Sequence, residues 1–187
     1  MDAKITNFPS FKICDYLSPY MRLSENALKW VMRLYPPFFF QRIWVRRFNK
    51  GFTGAEVKIN RSLFNRNYNG SIFGGTIFAA ADPFYALLFD QLLQRKGFKT
   101  VVWLKSASIQ YIKPGRTALF FTISLDEKEI HEVEAAIAEH GKFVKTYPVA
   151  IVDRSGETCA IMHNEVYIPD VRYRPSTQRA NTLQADK

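Results

Sequence analysis

The chain has 187 residues, a length that suits one domain and buries enough apolar surface to fold without a disulfide or a metal. Its 26 Lys and Arg against 17 Asp and Glu leave a formal charge of +9, and 15% of its residues are aromatic, so disorder is expected only at the ends. Cys14 and Cys159 stand far apart with no CxxC pairing, which excludes a disulfide framework and a zinc signature and leaves two reduced thiols.

In chain order, residues 1–17 read as a flexible N-terminal arm without the apolar stretch of a secretory signal. No later run approaches the ~18 apolar residues of a membrane span, and a cytoplasmic protein is the simplest expectation. Ser24 can cap a helix to about Tyr35, with Leu28, Val31, Met32 and Tyr35 on one face; Pro36 and Pro37 stop it. The aromatic and basic stretch that follows, with Arg42, Arg46 and Arg47, reads as a segment covering a sheet edge or as a contact for phosphate or a membrane surface. Residues 55–63 read as a strand, and 64–72 as an irregular loop. From Gly75 to about Lys96 the spacing of Ile77, Ala80, Ala81, Phe84, Leu88 and Leu92 predicts a long buried helix, ended by Gly97.

The remainder reads mainly as β. Trp103, Ala107, Ile109 and Tyr111 share one face of a strand by period-two alternation, and Lys105 is the one charge on that side. Pro114-Gly115 turns the chain into a strand bearing Leu119, Phe121, Ile123 and Leu125. A short helix is predicted over 129–139, then strands over 143–152 and 157–168, with Pro148 marking an edge or a bulge. Residues 18–169 thus make one α+β domain in which antiparallel strands enclose a very apolar helix. Residues 170–187 read as a disordered polar tail.

The segment from Asn65 to Tyr85 carries the chemistry. Gly74 and Gly75 open the long helix, where first-turn N–H groups lack partners, so a substrate carbonyl could rest on them as in an oxyanion hole. Asn67 offers an amide to orient a water or a carbonyl. Asp82 lies seven residues past Gly75, nearly two turns on, and returns to the same face among Phe78, Ala79, Ala81 and Phe84. A carboxylate there is costly unless used or paired, and its use would be as general base or nucleophile; alternatively it caps a fresh helix starting at Pro83. Either way Pro83 predicts a kink. His131, His140 and His163 form no metal-ligand spacing, and no metal site is expected. Nothing matches a nucleic-acid motif, so nucleic-acid binding rests on net charge alone.

Asn67-x-x-Gly70-x-x-Phe73-Gly74-Gly75, with Asp82 seven residues on, resembles the signature of hot-dog thioesterases of the phenylacetyl-CoA type. Tyr35-Pro36-Pro37-Phe38, Asp82-Pro83-Phe84-Tyr85, Val102-Trp103-Lys105 and Lys113-Pro114-Gly115 resemble the hallmarks of a hot-dog family of unknown function, over roughly residues 30–168. The resemblance implies a sheet wrapped around a central helix, here with an N-terminal helical extension, and two copies paired through their sheets, as a homodimer or tetramer. It implies an acyl-CoA or acyl-carrier thioester as substrate, with coenzyme A present only as part of it. Asp82 would be the catalytic carboxylate, Gly74 and Gly75 the carbonyl donors and Asn67 the positioning amide. Phe73 and Phe78 would contact the acyl group; Lys105, Lys113 and Arg116 would meet phosphate, Lys105 alternatively pairing with Asp82. Phe73 stands where the thioesterase pattern usually has His, which motivates a second reading as a non-catalytic acyl-CoA or lipid-binding protein.

Overall fold

The computed structural model describes residues 22–173; the expected arm at 1–17, Cys14 and residues 174–187 lie outside them. Helix α1 (Glu25–Leu34) starts where expected, with the Ser24 hydroxyl accepting from the Ala27 N–H at 3.2 Å. Pro36 and Pro37 end it but also open a short helix, α2 (Pro36–Phe40), since Pro fits a first helical turn. The aromatic-basic stretch then becomes a strand, β1 (Ile43–Phe48), followed by β2 (Gly54–Ile59). The long helix is two pieces, α3 (Gly74–Ala81) and α4 (Phe84–Arg95), parted at Asp82-Pro83. Then come β3 (Trp103–Tyr111), β4 (Leu119–Ser124), α5 (Glu127–His140), β5 (Lys142–Val152) and β6 (Thr158–Pro169).

The six strands form one antiparallel sheet in the order β1-β2-β4-β5-β6-β3. Its concave face holds α3 and α4, whose Ile77, Ala80, Phe84, Leu88 and Leu93 are buried against Val57, Phe121, Ile151 and Met162. The opposite side of these helices, with Phe78, Ala79, Asp82, Pro83, Ala86 and Leu87, is only half-buried. α1 lies beside β1, held by Arg33 Nε donating to the Val45 carbonyl at 2.8 Å, and is tied to α4 where Arg22 donates to the Gln94 carbonyl at 3.0 Å. α5 carries a reciprocal cap, with the Glu129 N–H on Asp126 Oδ1 at 2.6 Å and the Asp126 N–H on Glu129 Oε2 at 3.1 Å, and stops at Gly141, whose φ is 71°.

Two local expectations are corrected, at Trp103 and in the tail, and the edge reading of Pro148 holds. β3 bulges at Lys105, so Ala107, Ile109 and Tyr111 keep the inner face while Trp103, upstream of the bulge, packs at a 56° tilt against the Tyr167 ring outside. β5 meets β4 only at Val152 opposite Phe120, so Pro148 sits on a stretch with one side open. The tail is ordered through 173: the Val171 N–H donates to Lys99 at 3.0 Å and the Tyr173 hydroxyl to the Glu139 carbonyl at 3.0 Å. Cys159 is a buried free thiol. Among the described residues no helix is long and apolar enough to cross a membrane.

Candidate active site

The loop before α3 is built from its own polar side chains. Asn65 is buried, its Nδ2 donating to the carbonyls of Gln41 at 2.7 Å and Asn60 at 2.8 Å, while its Oδ1 accepts from the Ser62 N–H at 2.9 Å. Asn67 closes the turn on Ser71: its Nδ2 donates to the Ser71 hydroxyl at 3.0 Å and its Oδ1 accepts from the Ser71 N–H at 3.1 Å. The Phe73 N–H donates to the Asn65 carbonyl at 2.7 Å, which aims the chain into α3.

At the start of α3 the N–H groups of Gly74 and Gly75 have no acceptor among the described residues. A side chain at either glycine would push an exposed ring aside. A β-carbon on Gly74 would stand 2.9 Å from the Tyr111 ring, whose hydroxyl donates to the Gly74 carbonyl at 2.8 Å. A β-carbon on Gly75 would collide with the ring of Phe73, which lies over it and is 57% exposed.

Asp82 ends α3. It keeps helical angles (φ −59°, ψ −55°), and the turn departs from them at Pro83 (φ −85°, ψ −14°), so the expected kink falls one residue later. Asp82 is the C-terminal cap residue of α3, and α4 starts after Pro83 without a side-chain cap, so the Asp82 carboxylate does not cap the second helix. Its half-buried carboxylate has no hydrogen-bond or ion-pair partner among the described residues, and burial raises its pKa above the ordinary carboxylate value. Behind the break, the buried Asn164 donates Nδ2 to the Ala81 carbonyl at 3.0 Å, and its Oδ1 is left unpaired.

Asp82 opens on a cavity of about 570 Å³ between α1, α4 and the start of β3, walled by Leu28, Val31, Met32, Leu87, Val102 and Leu104. Asp90 reaches the same space; burial raises its pKa, opposed by hydrogen bonds from Gln94 and Gln91. The glycines open elsewhere. Gly74 lines a cavity of about 330 Å³ with Asn67, Ser71, Tyr111 and Lys113, and Gly75 one of about 430 Å³ with Asn67, Phe73, Phe64 and Arg66. One chain therefore gathers Asn67, Phe73, Gly74 and Gly75 at one end of α3 and sets Asp82 at the other.

Of the basic residues, Lys113 lines the Gly74 cavity, while Lys105 does not pair with Asp82. Lys105 is the extra residue of the β3 bulge, turned outward to Glu165 at 3.1 Å and away from Asp82. Lys113 is held by Asp153 at 2.8 Å and by Glu157, and these carboxylates raise its pKa. Arg116 is exposed beside the Pro114-Gly115 turn and lines none of the three cavities, and Phe78 packs against the core. No group of three or more His, Cys, Asp or Glu side chains converges as a metal site among the described residues. Sequence reasoning passed over Tyr111 as a partner of Gly74, the Asp90 carboxylate and Asn164. Only Asn164 left a signal, as a polar residue in register with the inward-facing Met162, Val166 and Ile168.

This wrapped-helix architecture is the hot-dog fold, and solved structures with it superpose on most of the chain. A Pseudomonas aeruginosa protein of unknown function, called a probable thioesterase, is 16% identical with a TM-score of 0.71, covering 81% of this chain and 99% of its own. A Chlorobaculum tepidum protein of unknown function is 13% identical with a TM-score of 0.65, covering 80% and 98%. A thioesterase of Haemophilus influenzae is 11% identical with a TM-score of 0.59, covering 83% and 97%. The chain belongs to the family described as domain of unknown function DUF4442, whose model matches residues 24–168. No functionally curated protein matches it.

Proposed function

We propose that this chain hydrolyses an acyl-CoA thioester, with Asp82 as general base or nucleophile, at a site completed by a second copy. The observation that carries the reading is the half-buried, partnerless Asp82 carboxylate beside a large apolar cavity. Burial without a partner is unfavourable for folding, and such a group suits proton abstraction near neutral pH. The names of the Pseudomonas and Haemophilus proteins with the same fold add support.

The donors and the base lie too far apart within one chain. Seven residues of helix span about 10.5 Å, so one thioester cannot touch both Gly75 and Asp82 of the same α3. A two-fold axis crossing the middle of α3 would lay Gly74 and Gly75 of one copy against Asp82 of the partner subunit. The half-buried face of α3 and α4 and the open edge of β3, a nine-residue terminal strand, offer the surface for such pairing. In that site the thioester carbonyl rests on the glycine N–H groups and the acyl tail enters the cavity beside α1. Asp82 takes a proton from water, the water oxygen bonds to the carbonyl carbon, and the C–S bond breaks. The thiolate leaves and takes up a proton, giving a carboxylic acid and free coenzyme A.

Thiol release from short, long and aryl acyl-CoAs tests the reading, with dimerisation followed by sedimentation. Wild type should turn over at least one of them and Asp82→Ala none, while staying folded and dimeric. Mixed dimers of Asp82→Ala with Gly75→Val chains should regain about half the sites, because one site keeps both groups. Dead mixed dimers would refute the shared site. Acyl-CoA binding by wild type without turnover of any member would leave the non-catalytic binder that Phe73 motivates.

A further inference from the structure

The N-terminal corner of the molecule carries apolar side chains that the fold does not bury. Leu34 is 65% exposed and Phe40 62%, with Trp30, Tyr35, Phe39 and Trp44 beside them on α1, α2 and β1. The loop at 61–66 is docked on the same corner: Asn65 binds the Gln41 carbonyl, and the Asn60 N–H donates to Arg42 at 3.0 Å. Its tip presents Leu63 and Phe64, each 78% exposed. The outward aromatic side chains of α2 are thus Phe39 and Phe40, and the outward side chains of β1 are Trp44 beside Arg46 and Arg47, a mixture of rings and cations.

Charge gathers at the same place. From the start of α1 at Glu25 to Asp82, nine Lys or Arg stand against three acids, Glu25, Glu56 and Asp82, a net +6 of the chain's +9. Glu56 is already matched by Arg47 at 2.6 Å. Arg33 is sandwiched between rings, 4.8 Å from Trp30 and 4.3 Å from Trp44, while Arg42 and Arg46 are exposed beside them. A two-fold contact of this corner with itself would press like charges together. The complement must be anionic. It must also accept separate protruding rings and leucines, which stand on convex helix and loop tips instead of lining a groove.

We propose that this corner docks the protein on an anionic lipid bilayer. Phe39, Phe40, Leu63 and Phe64 enter the headgroup boundary, Trp30 and Trp44 sit at its level, and Arg42 and Arg46 face lipid phosphates. The inference stands apart from the hydrolase reading: of these side chains only Phe64 borders a cavity of the proposed site, the one that Gly75 opens on.

Co-sedimentation of the full chain with phosphatidylcholine vesicles, and with an equal mixture of phosphatidylcholine and phosphatidylglycerol, tests it. Wild type should bind the mixed vesicles at least about tenfold more strongly than the neutral ones, with binding weakened by salt. Arg42→Glu/Arg46→Glu should lower that binding more than about tenfold, since each lost cation is worth about fivefold near such a surface. Phe39→Ser/Phe40→Ser should also lose binding, with near-ultraviolet circular dichroism unchanged. Wild type that ignores the mixed vesicles, or variants that bind them like wild type, would overturn the proposal. So would a change of oligomeric state in the Phe39/Phe40 variant, which would make the corner a contact between copies. Binding to an acidic carrier protein but not to vesicles would assign it to that protein instead.

Discussion

The two ends of α3 treat polar groups in opposite ways. At its start, Asn65, Asn67, Ser71 and Tyr111 are all hydrogen-bonded into the loop or to the helix, and the side chains there hold the backbone in place. At its end, Asp82 is half-buried and bonded to nothing among the described residues. The two ends thus differ in partners, not in burial or residue type, and the proposed base is the group without any. Asn67, read from the sequence as a positioning amide, falls on the structural side by this measure.

The sharpest separation should come from Asp82→Asn. Removing the base should slow thioester hydrolysis by about 10²- to 10⁴-fold, the usual contribution of a positioned acid or base. Stability at neutral pH should hold or rise, because the neutral amide avoids burying a charge. A large loss of stability in denaturant titrations would show that Asp82 is a structural group after all.

Asn65→Ala is the converse test. It deletes two donated and two accepted bonds at a buried position, and should destabilise by about 3 kcal/mol in urea unfolding. Activity per folded molecule should change far less than in Asp82→Asn. Asn164→Leu lies between the two, since Asn164 is structural yet holds the carbonyl next to Asp82. It should lower stability by about 1–2 kcal/mol by stranding the Ala81 carbonyl, and its activity loss should exceed that of Asn65→Ala.

What was legible in the sequence follows the same division. The cap at Ser24, the stop at Gly141 and the break at Pro83 are decided by neighbours a few residues away, so the pattern reveals them; the Asp126–Glu129 cap is as local, but the apolar pattern predicts that helix only from Glu129. β1 was not legible because its bulge between Val45 and Arg47 buries Ile43, Val45 and Phe48, a spacing that matches no simple period. The bulge at Lys105 hid the pairing with Glu165 in the same way. The glycine pair and Asp82 could be named from spacing. That they open on different cavities depends on where α1 lands against α4, which involves contacts some 60 residues apart in sequence.

The smallest expected effect reads the Asp82 carboxylate twice, with opposite signs. Its pKa is raised in the folded chain, so the folded state keeps a proton that the unfolded state releases near pH 4. Stability from this group is therefore greatest below the unfolded value and declines as pH rises through the folded one. Asp82→Asn should be more stable than wild type at pH 7, and the gap should close at about pH 3, where Asp82 of the wild type is protonated in both the folded and the unfolded state. Hydrolysis by wild type runs the other way, because only the ionised form accepts a proton, so kcat/KM should climb on an acid limb above the ordinary carboxylate range. Melting curves and rates on one pH series measure both. If the stability gap persists unchanged into acid, the unpaired charge is not its source, and the contrast between the two ends of α3 loses its energetic basis.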